Sequence, residues 1–335
     1  MTAGLAGQFD YVGGVPGDMI DTFKGRPDEF VVKDVGEDLC YFYLEIYCGP
    51  RDDDGDMIEE GNYQAQKNPA WLRRVFALAV NYSYIYEEIQ GGYAVKGVPA
   101  VPRAMAGYNA SVKQAHDYPF DDNIERARQI MIDHASELDI DPTGWDVTFN
   151  GDDEDKWAQN LLGRKLKLNQ HFGSTTHQRL NQLMADNFAL VGLVTDEPDV
   201  REWGDYLDTG ENTPWEMDIG YIGWCPDYLN PFNMIDPLFN LASGSCFSRI
   251  NDTSPGGLTD LMDLGASETN LTLQLPYWEA IQSIIYDIDR PINPASHAHI
   301  SGWVYLVQSV HKVGLIRDDY NVMQNWHIER WYYEE

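Results

Sequence analysis

Gly223-Trp224-Cys225-Pro226-Asp227-Tyr228-Leu229-Asn230-Pro231 brings an aromatic ring, a thiol and a carboxylate together where a strand meets a Pro-punctuated turn. The preceding residues 217–222, Met-Asp-Ile-Gly-Tyr-Ile, form an apolar run of the kind that makes a short buried strand. Pro226 and Pro231 forbid it from continuing as a regular ladder. Trp224 and Asp227 are therefore expected at a strand end. An Asp there either caps the next turn or meets a cation.

Working outward, strand-like runs alternate with helical ones from Phe30 to about Trp224, which predicts a mixed α/β fold rather than a bundle or a sandwich. Apolar residues Leu72, Val75, Phe76, Leu78, Ala79 and Tyr82 recur at helical spacing, predicting a helix over 71–90 that Gly91-Gly92 ends. Residues 161–168 turn into an alternating strand, and Thr175-Thr176 can cap the helix that follows as far as Gly192. A strand over 193–200 and a short helix over 202–207 come next. Beyond Pro231 the chain is rich in turn clusters, Ser243-Gly244-Ser245 and Ser254-Pro255-Gly256-Gly257, until a last helix over 276–287.

The 335 residues, 43% hydrophobic and 13% aromatic, suffice for one large or two ordinary domains with buried cores. A net charge of −31 excludes nucleic acid and anionic membrane as main partners, because both need clustered Lys and Arg. Acidic runs at 51–56 and 152–155 sit among turn residues and read as solvated loops. Asp139-x-Asp141-x-Thr143-Gly144 has the spaced oxygens of a calcium loop, but its twelfth position is Asn150 rather than a bidentate Glu. Nothing in the motifs or spacings calls for a cofactor, a metal or a catalytic triad. An acid–base hydrolase built on the many carboxylates is the enzymatic alternative. His297-x-His299 reads as a pair of ordinary polar positions. The four cysteines, Cys40, Cys48, Cys225 and Cys246, allow three full pairings, and their spacing does not choose among them. No charged-then-apolar leader and no 18-residue apolar run occurs.

Several segments together resemble extracellular solute-binding protein family 5, the oligopeptide- and dipeptide-binding proteins of ABC importers. The family's late strand reads Gly-Trp-x-x-Asp-Tyr, as at 223–228 here. Cys40-Tyr41-Phe42-Tyr43-Leu44-Glu45-Ile46 resembles its aromatic strand, and Arg73-Arg74-Val75-Phe76-Ala77-Leu78-Ala79-Val80-Asn81 its paired-arginine helix. Asp121-Asp122-Asn123-Ile124-Glu125-Arg126-Ala127 resembles a further helix, and Tyr277-Trp278-Glu279-Ala280-Ile281-Gln282 a late one. Apart from that late helix, the matches keep family order over residues 3 to about 240.

The resemblance implies a type II periplasmic-binding-protein-like α/β fold with lobe II at 40–300, a remnant of lobe I at 1–39 and a return segment at 301–335. Ala6-Gly7-Gln8-Phe9-Asp10 looks like a segment that comes well into family chains, so most of lobe I and any export signal are expected upstream. It further implies a Cys40–Cys225 disulfide, with Cys48 and Cys246 left as small buried hydrophobes. Asp227 inherits the role of pairing with a peptide's α-ammonium and Trp224 that of an apolar wall, while Tyr221 and Tyr43 are core or rim aromatics or, alternatively, ligand contacts. Close relatives carry a base where this chain has Tyr221, so the match does not extend to a peptide's free carboxylate. The implied function is binding of a peptide or small solute for an ABC importer outside the cytoplasm, with the importer's membrane subunits and a separately encoded N-terminal lobe as partners. A non-transport scaffold is the alternative.

Overall fold

The structure, a computed structural model, describes residues 11–12, 15, 17–49, 67–316 and 332–333. The Ala6–Asp10 match and the acidic run at 51–56 lie outside these residues. The central feature is β10 (His299–Lys312), a 14-residue strand. Its first half pairs antiparallel with β3 (Tyr41–Ile46) and β4 (Ala94–Lys96). Its second half pairs with β1 (Tyr11–Val12) and β2 (Phe30–Glu37). Residue 300 thus lies inside a continuous strand, and the change of partner comes at Tyr305–Leu306. β3 in turn pairs antiparallel with β9 (Ile219–Trp224).

Alternation along β3 sends side chains to two cores, as the pleat requires. Leu44 and Ile46 face one, with Trp303 and Ile300 of β10 and the helices α2 (Ala70–Ala79), α3 (Phe120–Asp133) and α4 (Thr175–Ala189). Tyr41 and Tyr43 face the other, with Val304 and the helices α6 (Pro231–Phe239), α7 (Leu258–Ser267) and α8 (Leu271–Tyr286). A sheet covered on both faces by helices is the α/β architecture expected. A small separate core of Phe23, Phe30 and Val310 lies under α1 (Gly17–Lys24) and β2.

Parallel pairing enters beside β9. β5 (Lys165–Leu166) pairs with β7 (Val194–Thr195), and β6 (Asn169–His171) with β8 (Asp199–Arg201). A parallel bridge from Leu168 to Ile219 joins this pair to β9. The strand expected over 193–200 is therefore two short pieces. The helix expected over 71–90 also breaks: Val80 is extended and the side chain of Asn81 accepts the backbone N–H of Tyr84, restarting a short turn that relaxes into a wide one over Ile85–Ile89. A local Asn bond of this kind diverts the backbone from the regular ladder. Ser174, not Thr175 or Thr176, caps α4 by accepting the N–H of His177. The last helix starts five residues earlier than expected, at Leu271, with Asn270 as its cap and Pro276 inside it.

Candidate functional site

β6, β8 and β9 are parallel, so their carboxyl ends lie on one edge, where open α/β sheets place their ligands. The edge is made by His171 and Phe172 after β6, Arg201 to Trp203 after β8, and Trp224 to Asp227 at the end of β9. α5 (Trp203–Asn212) starts directly from β8, with Glu202 at its cap.

At the end of β9 the strand runs two residues further than its apolar pattern suggests, and Trp224 is its last residue. Gly223 is required there, since a Cβ at that position would come within 2.5 Å of the Phe42 ring. The Trp224 indole N–H donates to the carbonyl of Asn233 at 2.9 Å. The same Asn233 accepts the backbone N–H of Asp227 through its Oδ1 at 2.7 Å, and its Nδ2 lies 3.5 Å from the Asp227 carboxylate. Asn233 is buried in the first turn of α6, so one side chain ties the ring and the acid to a fixed helix. Asn230, not Asp227, caps that helix, accepting the N–H of Phe232 at 2.8 Å. Asp227 itself is exposed and makes no ion pair among the described residues. A carboxylate fixed through its main chain but left open to solvent can receive a cation without first losing a partner.

The other two candidate contacts are placed differently. Tyr43 is 1% exposed, stacked between Tyr41 and His299 at 4.7 and 4.3 Å. Tyr221 is 8% exposed, stacked on Trp303 at 4.9 Å and edge-on to His177 at 4.5 Å. Both rings are packed into the cores, the other of the two placements that the sequence left open to them. Trp203 was not singled out from the sequence, yet it is 45% exposed on this edge and stacks on Tyr206 at 5.6 Å. Its signal was available: a large aromatic just after a strand, in a segment otherwise polar.

Cys40 and Cys225 form a disulfide, as the resemblance implied, with Cα atoms 4.1 Å apart. They flank the register pair Tyr41 and Trp224, which sets them opposite one another. Cys48 and Cys246 are free and buried, and burial pushes their thiols up to about 11 and about 12. His297 and His299 are core residues. His297 adopts a left-handed backbone with φ 56° beside Arg74, and His299 lies 3.3 Å from buried Glu45. In the loop with calcium-like spacing, Asp141 is taken by the amide and hydroxyl of Thr143. Among the described residues no three His, Cys, Asp or Glu side chains are placed to hold a metal, and no helix is long and apolar enough to cross a membrane.

Fold and edge together define a periplasmic-binding-protein-like α/β chain. Residues 1–245 match "Bacterial extracellular solute-binding proteins, family 5 Middle", and the chain belongs to that family. Among solved structures it is similar to the periplasmic binding protein DppA from Helicobacter pylori in complex with the peptide STSA, at 16% identity and a TM-score of 0.71, covering 100% of this chain and 54% of that one. It is also similar to Haemophilus influenzae OppA in complex with RPPGFSPFR, at 13% identity and a TM-score of 0.69, covering 99% and 55%. AppA from Bacillus subtilis in complex with a nonapeptide gives 13% identity and a TM-score of 0.68, covering 100% and 58%. The chain thus spans about half the length of these structures. No curated protein sequence matches.

Proposed function

We propose that this chain is the substrate-binding component of an ABC-type importer and takes a peptide or similar small solute at the carboxyl edge of β6, β8 and β9. It acts as a binding protein rather than an enzyme. The observation that carries the reading is the Trp224–Asn233–Asp227 unit, an open carboxylate held rigidly beside an indole. The ligand's α-ammonium pairs with Asp227 and Trp224 walls the site. A second lobe closes over the ligand, and importer membrane subunits receive the loaded form. The Cys40–Cys225 bridge supports a site of action outside the cytoplasm, where disulfides persist.

The test is calorimetric titration of the chain with a tetrapeptide bearing a free α-amine and with its N-acetylated form. Free-amine binding is expected to be tighter, and Asp227→Asn is expected to remove the difference. In the chain alone the pair is solvent-exposed, so the loss is about 0.2–1 kcal/mol. Equal binding of both peptides by the unaltered protein would refute the role of Asp227.

A further inference from the structure

The turn that carries Asp227 also forms one side of a recess of about 210 Å³ against α7 and α8. Tyr228, Phe232 and Trp278 supply aromatic walls, and Gly265 and Ala266 of α7 complete them. Gly265 lets α7 close onto the Trp278 ring, since a Cβ there would lie 2.6 Å from it. Two amides share the lining, each with one end engaged: the Asn230 oxygen accepts the N–H of Phe232 at 2.8 Å, and the Gln274 nitrogen donates to the carbonyl of Glu268. Among the described residues no ionised side chain lines the recess. Tyr228 is 50% exposed, and Leu229, Leu264 and Leu273 stand exposed on the same turn and helices. Solvated apolar side chains gathered on adjoining elements mark a contact surface. Trp278, by contrast, is 1% exposed, yet its indole N–H has no hydrogen-bond partner among the described residues, whereas buried donors are ordinarily paired.

We infer that this recess takes the first side chain of the bound peptide and selects an aromatic one, phenylalanine or tyrosine. The inference rests on the function proposed above. Size fits: a closed apolar cavity of about 150 Å³ accepts benzene, so a recess of about 210 Å³ admits one aromatic ring, and it is too small for a helix. Chemistry fits as well. A ring packs edge-on or offset against Tyr228, Phe232 and Trp278 without needing a counter-charge, and a tyrosine hydroxyl offers the Trp278 N–H an acceptor. Reach decides which side chain enters. The Tyr228 Cα is one residue, about 3.8 Å, from that of Asp227, and a peptide's first side chain branches from the carbon that bears the ammonium. With the ammonium at Asp227, that side chain starts beside the recess, while the second leaves the opposite face of an extended peptide.

The experiment titrates the full chain with four free-amine peptides, Ala-Ala-Ala-Ala, Phe-Ala-Ala-Ala, Tyr-Ala-Ala-Ala and Ala-Phe-Ala-Ala. It also follows the Ala266 methyl resonance in protein labelled at alanine methyls, assigned with Ala266→Ser. The better of the two peptides that begin with a ring is expected to bind roughly tenfold tighter than tetra-alanine, and Ala-Phe-Ala-Ala about as tightly as tetra-alanine. The leading ring should shift the Ala266 methyl, and tetra-alanine should not. Ala266→Phe fills the recess from an exposed helix position and should reduce the aromatic preference to about twofold. Tetra-alanine binding without an aromatic preference would overturn the inference while leaving the proposed function in place. A preference that survives Ala266→Phe, or that leaves the methyl unmoved, would also overturn it, as would a methyl signal that shifts with protein concentration alone, which assigns the recess to a second copy. Failure of every peptide to bind removes both readings together.

Discussion

Tyr41 stands directly opposite Trp224 in the antiparallel register of β3 and β9, and the residues just outside this pair are the bridged Cys40 and Cys225. The bridge therefore locks the end of the strand that carries the candidate site. It closes a sequence separation of 185 residues, and for loops of that size the chain-entropy account gives about 5 kcal/mol, with measured values more often 2–5. Reduction, or the paired change to serine, is expected to lower stability by about 2–5 kcal/mol. Urea unfolding with and without reductant measures it, and coincident curves would show that the bridge contributes nothing.

Arg73 is fully buried on α2 and donates to the carbonyls of Ser296, Asn68 and Pro294 at 2.8, 2.7 and 2.5 Å. It thereby fastens α2 to the turn that precedes β10. Lysine keeps the charge but not the planar fork, leaving at least one buried carbonyl unpaired. Arg73→Lys should cost about 1–3 kcal/mol in urea unfolding. Arg74→Lys is the control, because Arg74 is only partly buried and bonds the Arg290 carbonyl and His297.

What the sequence made legible and what it hid divide along physical lines. The α/β class follows from alternation and helical spacing, which burial on two sheet faces enforces; β9 and the start of α2 lie close to where their apolar patterns put them, and β3 and α3 where the family resemblance put them. The paired arginines were visible only as a motif, and what they hold, the turn at 294–297, is more than two hundred residues away. The break at Val80 was missed because the apolar stripe continues through Tyr82, while the bond from Asn81 that redirects the chain is local and polar. Tyr43 and Tyr221 show the limit for site residues: an aromatic beside a cleft and one inside a core look alike in sequence, and only packing separates them. Asn233 was overlooked because its role depends on a turn that brings it back to Trp224.

His177 is buried and receives the backbone N–H of His171 on its Nδ1 at 3.1 Å, so that nitrogen carries no proton. Burial, with His171 nearby, lowers its pKa from 6.5 to about 4. Between those values the unfolded chain holds a proton that the folded chain does not, so stability rises with pH across the window and falls as the solution is acidified through it. The slope from this group is about 1.4 kcal/mol per pH unit. Urea unfolding at intervals from pH 4 to 7 should show a shallower slope for His177→Gln than for the parent. Parallel slopes would mean that the ring titrates normally in the folded state.

Asn233 provides the last test, because it joins Trp224 to Asp227 without belonging to the ligand contact itself. Asn233→Asp keeps an oxygen that can accept the Asp227 N–H, but replaces the amide that lies 3.5 Å from the Asp227 carboxylate with a second negative charge. A second carboxylate there repels the first, so a free-amine peptide should begin to bind at a higher pH than it does with the parent. Asn233→Ala removes the acceptor instead. It leaves the turn's N–H without its partner and should cost about 1 kcal/mol of stability while weakening free-amine binding at every pH. Binding measured as a function of pH separates the two: a shifted midpoint for the Asp variant and a uniform drop for the Ala variant are expected. Identical pH profiles for parent and Asp variant would show that Asn233 does not set the environment of Asp227.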